Sequence, residues 1–332
     1  MTLNIGWIGC GRHATQMLMP QLGRNDMRIA AVCDVNEAAA ASAAWQYGAE
    51  ATYSDFNRLL DHKGLDAVCM AVGPDLHRVA SIAALERGLP VFLEKPPAKT
   101  LEGASEIAAA SKAAGKPVLV GFMKRYSTGN KIAGNIVRGG DFGPVLGVTG
   151  TYMTAPTYFV GEVDYSGFFL HHCVHYMDLI PWFARADFDE MSVRKIVPQP
   201  GKLLFHLNFT CNNGAIGTVV MGTVQSRGTP MEAIQVMGDH VRVEIDNVIN
   251  VAFYRDPPFK ADDASATLDP ACDTLCWTPN FTAAANEDHK GYNALIRDVA
   301  AALRGEESAA PTIEDGVRAM SNLERMIGLL DL

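Results

Sequence analysis

LNIGWIGCGRHA (residues 3–14) joins an uninterrupted apolar run to a glycine turn and then to the start of a helical pattern. Gly9, Gly11 and Ala14 fall in the spacing G-x-G-x-x-A. Between a strand and a helix, each small residue has a physical task. The first allows a tight turn, the second lets a pyrophosphate approach the backbone, and the third permits close helix–strand packing. Phosphates would then sit on the helix N-terminus, where free N–H groups and the dipole favour anions. Cys10, Arg12 and His13 occupy the same turn and are expected beside them. The second apolar run ends at Cys33-Asp34, twenty residues past Ala14. An acid there accepts from the ribose 2′-hydroxyl and repels a 2′-phosphate, so NAD is expected over NADP.

The pattern continues outward from this stretch. Strands at 3–8, 28–33, 67–71, 90–93 and 118–121 alternate with helical patterns at 13–22, 37–47, 77–87 and 101–114. The strands are near-continuous Val, Ile, Leu and Cys, as in strands buried on both faces, and their alternation with helices implies a parallel sheet. After Gly121 the pattern changes. A helix at 132–138, a strand at 145–153 and a helix at 168–183 lead into strands at 192–197, 202–211, 214–222, 231–238, 240–245 and 248–254. Short turns such as Asn212-Asn213-Gly214 join them, which predicts a mostly antiparallel sheet. Residues 255–280 read as a long loop, and 292–303 and 313–330 as helices. The expected fold class is α/β: a Rossmann domain over 1–122, with a doubly wound parallel sheet, and an α+β domain over 123–332 with a large, mostly antiparallel sheet.

Composition narrows the function classes. The chain has 332 residues, 48% of them hydrophobic, and a net charge of −9. No basic cluster is present, so nucleic acid is not an expected partner. No apolar run is long enough to span a bilayer, and no basic leader precedes the first strand, so a cytoplasmic location is expected. The seven Cys form no framework and read as reduced thiols, Cys272-x-x-x-Cys276 included.

FLEKPPAKT (residues 92–100) ends a buried-type strand on Glu94-Lys95 and fixes the backbone behind it with two prolines. Together with Gly9-x-Gly11, the segment Gly121-Phe122-Met123-Lys124-Arg125-Tyr126, the helix carrying His175-x-x-Asp178 and the late Asp315-Gly316-Val317-Arg318-Ala319, this stretch resembles the glucose–fructose oxidoreductase/inositol dehydrogenase/MocA (Gfo/Idh/MocA) family. The resemblance implies NAD(P)-dependent oxidation of a sugar, cyclitol or related hydroxyl, or reduction of the ketone. It also implies a cis Lys95–Pro96 bond and homo-oligomers, a homodimer or homotetramer, often built by packing the large sheets face to face. Val72-Gly73-Pro74-Asp75-Leu76-His77 stands where the family commonly has Thr-Pro-Asn-x-x-His. Val72, His77 and Glu94 therefore join the expected cofactor contacts. The family usually has Asp four residues before its catalytic His, and this chain has His171.

Hydride removal from a carbinol requires a base for the hydroxyl proton and a donor for the developing oxygen charge. His175 is the expected base and Lys95 its cationic partner, with His171 as substrate contact and orienter. His171 and His175, four apart, are expected on one helix face. A neutral imidazole at 171 brings no negative charge, so His175 is expected to be less basic than beside a carboxylate. His-x-x-x-His is also a way to hold a divalent metal, but no third ligand is evident and a metal-free site is expected. Asp178 is read as fixing a histidine tautomer or pairing with an Arg. Arg125, Tyr126, Tyr152 and His172 are further substrate candidates, followed by Lys124 and Tyr158, and then by His289, Lys290 and Tyr292. Two other readings stay open at this level: an NAD-dependent glycoside hydrolase working by transient oxidation, and a dinucleotide sensor without catalysis.

Overall fold

The computed structural model describes residues 2–155, 164–226, 231–255, 274–278 and 288–332. The chain forms two compact units, Met1–Met123 with Gly291–Glu324, and Lys124–Lys290 with Arg325–Leu332. Residues Gly291–Glu324 thus return to the first unit, a feature that a single division after residue 122 does not contain.

The first unit is built on β1 (Leu3–Ile8), β2 (Met27–Cys33), β3 (Ala51–Tyr53), β4 (Ala67–Met70), β5 (Val91–Leu93) and β6 (Val118–Val120). They form one parallel sheet in the order β3-β2-β1-β4-β5-β6. The order reverses between β1 and β4, and ligands of such sheets bind at that switch point, beyond the strands' carboxyl ends. The register places Ile8 beside Cys33 and Met70, Met70 beside Leu93, and Leu93 beside Val120. The strands therefore end level, and Gly9, Asp34, Ala71, Glu94 and Gly121 follow them in one row. Apart from the edge strand β3 and the exposed Arg28 of β2, the strands are largely buried, Trp7 included, and each large side chain so enclosed contributes about 1.5–3 kcal/mol of transfer free energy.

A π-helical turn, Ala14–Leu18, leads into α1 (Met19–Leu22), where a single regular helix is expected from sequence. Pro20 lacks the N–H that regular spacing needs, and such interruptions are common at functional sites. α2 (Glu37–Tyr47) starts on Asn36, whose side chain accepts from the Ala38 and Ala39 N–H groups. α4 (Pro74–Glu86) and α5 (Leu101–Ala114) follow β4 and β5. β3 and the short α3 (Phe56–Leu60) are absent from the sequence reading, because Ala51-Thr52-Tyr53 has no apolar run and five residues carry little periodicity.

The second unit contains α6 (Thr128–Arg138), β7 (Gly147–Met153), α7 (Ser166–Phe168), a π-helical segment Phe169–Cys173, α8 (Val174–Ala184), and strands β8 (Phe188–Gln199), β9 (Lys202–Cys211), β10 (Ile216–Gly222), β11 (Met231–Met237), β12 (Arg242–Asp246), β13 (Asn250–Tyr254) and β14 (Leu275–Trp277). Its sheet order is β14-β13-β12-β11-β7-β10-β9-β8, antiparallel except for β7 beside β10. β14 corrects part of the expected 255–280 loop; residues 256–273 and 279–280 lie outside the described residues. In β9, Leu203, Phe205, Leu207, Phe209 and Cys211 are buried and alternate with Lys202, His206 and Asn208, which are exposed. The sheet is therefore covered on one face only. α8 is apolar nearly all round and buried over most of its length, as a helix enclosed in a core must be. The chain ends with α9 (Tyr292–Leu303) and α10 (Ile313–Leu330).

Candidate functional site

In the first unit the site grows from the level row of strand ends. Gly9 has φ +92°, and a Cβ there would lie 2.4 Å from the Ala71 carbonyl oxygen, so only glycine fits. Its N–H donates to Cys33 O at 2.8 Å. A Cβ on Gly11 would meet nothing within 4 Å, which leaves the open space that a pyrophosphate needs in front of the turn. Asp34 caps the edge of this space: one carboxylate oxygen accepts from Cys10 N–H at 2.7 Å and the other from Asn36 N–H at 2.8 Å. A carboxylate has about four acceptor positions, so both oxygens retain capacity for ribose hydroxyls. Burial, reinforced by Asp34 and Cys33, pushes the Cys10 thiol up to about 12, so Cys10 contributes its backbone rather than a thiolate. Arg12 is exposed, and its Nε donates to Gln16 at 3.0 Å. His13 stands edge-on to the ring of Tyr292, with centroids 5.6 Å apart.

His77 joins two turns of this row. Its Nε2 accepts from Val72 N–H at 3.2 Å and its Nδ1 lies 2.9 Å from Pro96 O. An acceptor on one nitrogen and a carbonyl on the other define the neutral ring protonated on Nδ1. Burial first, with the Lys95 charge adding to it, lowers His77 to about 4, against the opposing effects of the Pro96 hydrogen bond and Glu94. Glu94 is buried. Its Oε1 has no hydrogen-bond partner among the described residues and sits 3.7 Å from His13 Nε2. It is also the reason for Gly121, where a Cβ would come within 2.7 Å of that oxygen. Lys95 is half-buried at the end of β5, and its bond to Pro96 is cis. Gly316 of α10 allows close packing behind this turn, its Cβ position lying 3.1 Å from Pro97 Cγ. A glycine cradle, open space before it and a buried acceptor together fit a dinucleotide.

The second unit holds the histidines. His171 and His172 lie in the π-helical segment and His175 opens α8 one turn later. His171 is exposed, while His172 and His175 are buried. His172 meets the hydroxyl of Tyr152 through Nδ1. Arg125 and Asp178 form a buried two-pronged pair, with Nε to Oδ2 at 2.8 Å. Asp178 thus engages an arginine. Lys124 is held by Glu232, with Nζ 2.6 and 2.5 Å from the two oxygens. Tyr126 is buried, and Lys131 Nζ lies 5.8 Å from its ring centroid. His289 lies 3.4 Å from the Thr128 hydroxyl. Tyr158 and Cys272 lie outside the described residues, and Cys276 is exposed. Among the described residues no group of three His, Cys, Asp or Glu is placed to hold a metal ion.

Sequence reasoning missed the Lys124–Glu232 pair and the contact of Tyr152 with His172. The first joins residues 108 apart and the second residues 20 apart, and no local spacing announces either.

A parallel nucleotide-binding sheet followed by a mostly antiparallel α/β unit defines a two-part dinucleotide oxidoreductase architecture. Residues 3–122 match the Gfo/Idh/MocA oxidoreductase family's NAD-binding Rossmann fold, and residues 135–327 match its C-terminal alpha/beta domain. The chain belongs to that family. Inositol 2-dehydrogenase of Salmonella paratyphi B is 29% identical over 196 residues, which span 58% of this chain and 58% of that relative. The match thus covers a little over half the relative's length. Among solved structures, a dehydrogenase from Chromobacterium violaceum superposes with a TM-score of 0.86 at 20% identity, covering 98% of this chain and 95% of that one. Levoglucosan dehydrogenase in complex with NADH and L-sorbose gives 0.85 at 18% identity, covering 100% and 97%. At these identities the likeness is one of fold. No described helix is long and apolar enough to cross a membrane.

Proposed function

We propose that the chain is an NAD-dependent oxidoreductase acting on a secondary hydroxyl of a sugar, cyclitol or related polyol, or on the matching ketone. The observation that carries this reading is the row at the carboxyl ends of the parallel strands. It sets Lys95 and the Gly9 turn at the same edge of one sheet. Family membership and the inositol 2-dehydrogenase relative support it.

When bound, NAD takes up or returns the hydride. Gly9, Cys10, Gly11, Arg12, His13, Asp34, Val72, His77 and Glu94 hold it. Lys95 faces the oxygen on which negative charge develops, and His175 takes the hydroxyl proton. His171, His172, Arg125, Tyr126 and Tyr152 shape the substrate side. Arg125, already clasped by Asp178, acts there as a fixed, charge-compensated wall rather than a mobile clamp. In this reading residues 1–122 bind nucleotide, and residues 123–332 bind substrate and form a homodimer or homotetramer. The uncovered sheet face, with Ile216 62% and Met231 56% exposed, supports the last point.

The test is NADH formation, followed by absorbance, across a panel of sugars, sugar acids and inositols, with and without chelator. Accumulation of NADH insensitive to chelation is expected. Product release without net NADH would indicate the transient-oxidation hydrolase, and tight NAD binding without turnover a sensor.

A further inference from the structure

We propose that the second unit carries a binding site for a phosphate monoester, held between the guanidinium groups of Arg138 and Arg185 at the end of α8 remote from His175. The inference goes beyond the proposed redox reaction and does not rest on it. His175 opens α8 and Arg185 follows its last residue, so the two stand about 15 Å apart along the helix axis.

A cavity of about 560 Å³ opens where α6 and α8 end and β7 begins, and Arg138, Gly140, Gly143, Val145, Arg185 and Asn213 line it. Arg138 is fixed in its wall. Its guanidinium carbon lies 3.9 Å from the centroid of the Trp182 ring, and its terminal nitrogens donate to Gly134 O at 3.1 Å and Trp182 O at 2.9 Å. Gly134 makes room for that ring, which a Cβ there would strike. A guanidinium has five N–H donors, so most of this fork remains for a ligand. Arg185 is exposed and holds left-handed backbone, φ +58°. Glycine is favoured at such a helix end, and α2 and α5 of the same chain place Gly48 and Gly115 there. At the end of α8 a long cation stands in that place instead, and its side chain makes no hydrogen bond or ion pair among the described residues.

No carboxylate pairs with either arginine among the described residues. Asp141 in the glycine turn is exposed, and Asp187, two residues past Arg185, takes the Phe188 N–H at 2.9 Å. Burial first, then the charges of Arg125 and Arg185, lowers Arg138 below its ordinary value. Arg125 is compensated by Asp178, which leaves Arg138 and Arg185 as two like charges in one cavity, on a chain whose net charge is −9. The turn adds main-chain donors. A Cβ on Gly140 or Gly143 would meet nothing within 4 Å, and neither N–H donates to a group among the described residues. Asn213 is fixed beside them, giving Nδ2 to Ala184 O at 2.9 Å and taking the Ala215 N–H at 3.1 Å. Two guanidinium forks and main-chain donors suit a compact oxyanion with several acceptor oxygens. Charge selects within that class. A phosphate monoester carries about −1.5 to −2 at neutral pH on three terminal oxygens and balances two cations, whereas a carboxylate group brings one charge and two oxygens.

Calorimetric titration of the full chain in excess NAD, at an ionic strength held constant with chloride, tests the proposal. Methyl phosphate is the probe and succinate its rival. Saturable binding of methyl phosphate is expected, tighter than that of succinate. Arg185→Gly removes one cation and gives the left-handed position the residue it favours, so this variant is expected to fold. It should weaken methyl phosphate about tenfold or more, the scale of a lost charge-assisted hydrogen bond. Arg138→Gln is expected to act in the same direction, and Arg185→Lys, which keeps the charge without the fork, to lose less than Arg185→Gly. Methyl phosphate should also raise the melting temperature of the parent and leave that of Arg185→Gly unmoved. Absence of saturable binding, equal affinity in Arg185→Gly and the parent, or a preference for succinate overturns the proposal. The readout is located by Arg185 and needs no turnover, so it stands or falls separately from the proposed oxidation.

Discussion

Asp34 takes the backbone N–H of Cys10 on one carboxylate oxygen and that of Asn36 on the other, so one acid ties the glycine turn to the start of α2. In the proposed reading, the residue that meets the ribose is thereby part of the turn that meets the phosphates. Asp34→Ala is expected to weaken NAD about tenfold or more, the scale of a lost charged hydrogen bond of about 1.5–3 kcal/mol. The discrimination against NADP should narrow with it. Titration with both dinucleotides checks this, and an unchanged NAD-to-NADP ratio would remove Asp34 from the selectivity.

Lys95→Ala is expected to lower turnover by about a hundredfold or more, the range of general acid–base assistance, while NAD still binds. Separate measurement of kcat and of the NAD dissociation constant decides it. Surviving turnover would contradict the proposed role.

His77 gives the fold a defined acid sensitivity. Its folded value, about 4, lies below the ordinary histidine value of about 6.5. The unfolded chain therefore takes the proton first as pH falls. Stability from the neutral, doubly hydrogen-bonded ring is complete above about 6.5, is lost progressively toward about 4, and falls no further below it. The span corresponds to roughly 3 kcal/mol as an order of magnitude. Urea unfolding at several pH values should show a shallower loss between these limits in His77→Gln than in the parent. Parallel curves would show that the imidazole does not carry the effect.

Gly121→Ala would drive a methyl into the Glu94 carboxylate at 2.7 Å. Overpacking of this kind costs about 1–3 kcal/mol. A lower melting temperature and weaker NAD binding are expected together, because the displaced group borders the proposed cofactor site. Full affinity in a destabilised protein would place Glu94 outside that site.

Ile216→Glu tests the uncovered sheet face. A charge on its most exposed apolar side chain should dissociate a homo-oligomer built on that face without lowering the stability of the fold. Light scattering after gel filtration reads the mass, and an unchanged oligomer would locate the interface elsewhere.

The strands and the glycine turn were legible because their signals are local: a continuous apolar run, a small residue at a fixed spacing, an acid at a strand end. Glu94-Lys95-Pro96 was legible for the same reason. Elements shorter than one period, such as Ala51–Tyr53 and Leu275–Trp277, left too few residues to show a pattern. The histidine helix was found, but not its π-helical winding at Phe169–Cys173, nor that His171 is exposed while His175 is buried. Pairings such as Lys124 with Glu232, or His77 with Pro96, depend on which strands become neighbours. That is a property of topology, and nothing near either residue in the chain encodes it.

The distribution of thiols makes the protein its own reporter of opening. Cys10, Cys33, Cys69, Cys173 and Cys211 are buried, while Cys276 is exposed. Burial raises all five of the enclosed thiols, so alkylating reagents find no thiolate there in the folded chain. Timed alkylation read by peptide mass would therefore modify Cys276 at once. Cys10, Cys33 and Cys69 would then date the loosening of the parallel sheet, Cys173 that of the histidine helix, and Cys211 that of the antiparallel sheet. Added NAD should delay the first group selectively, giving a footprint of cofactor binding that needs neither a substrate nor a change in sequence.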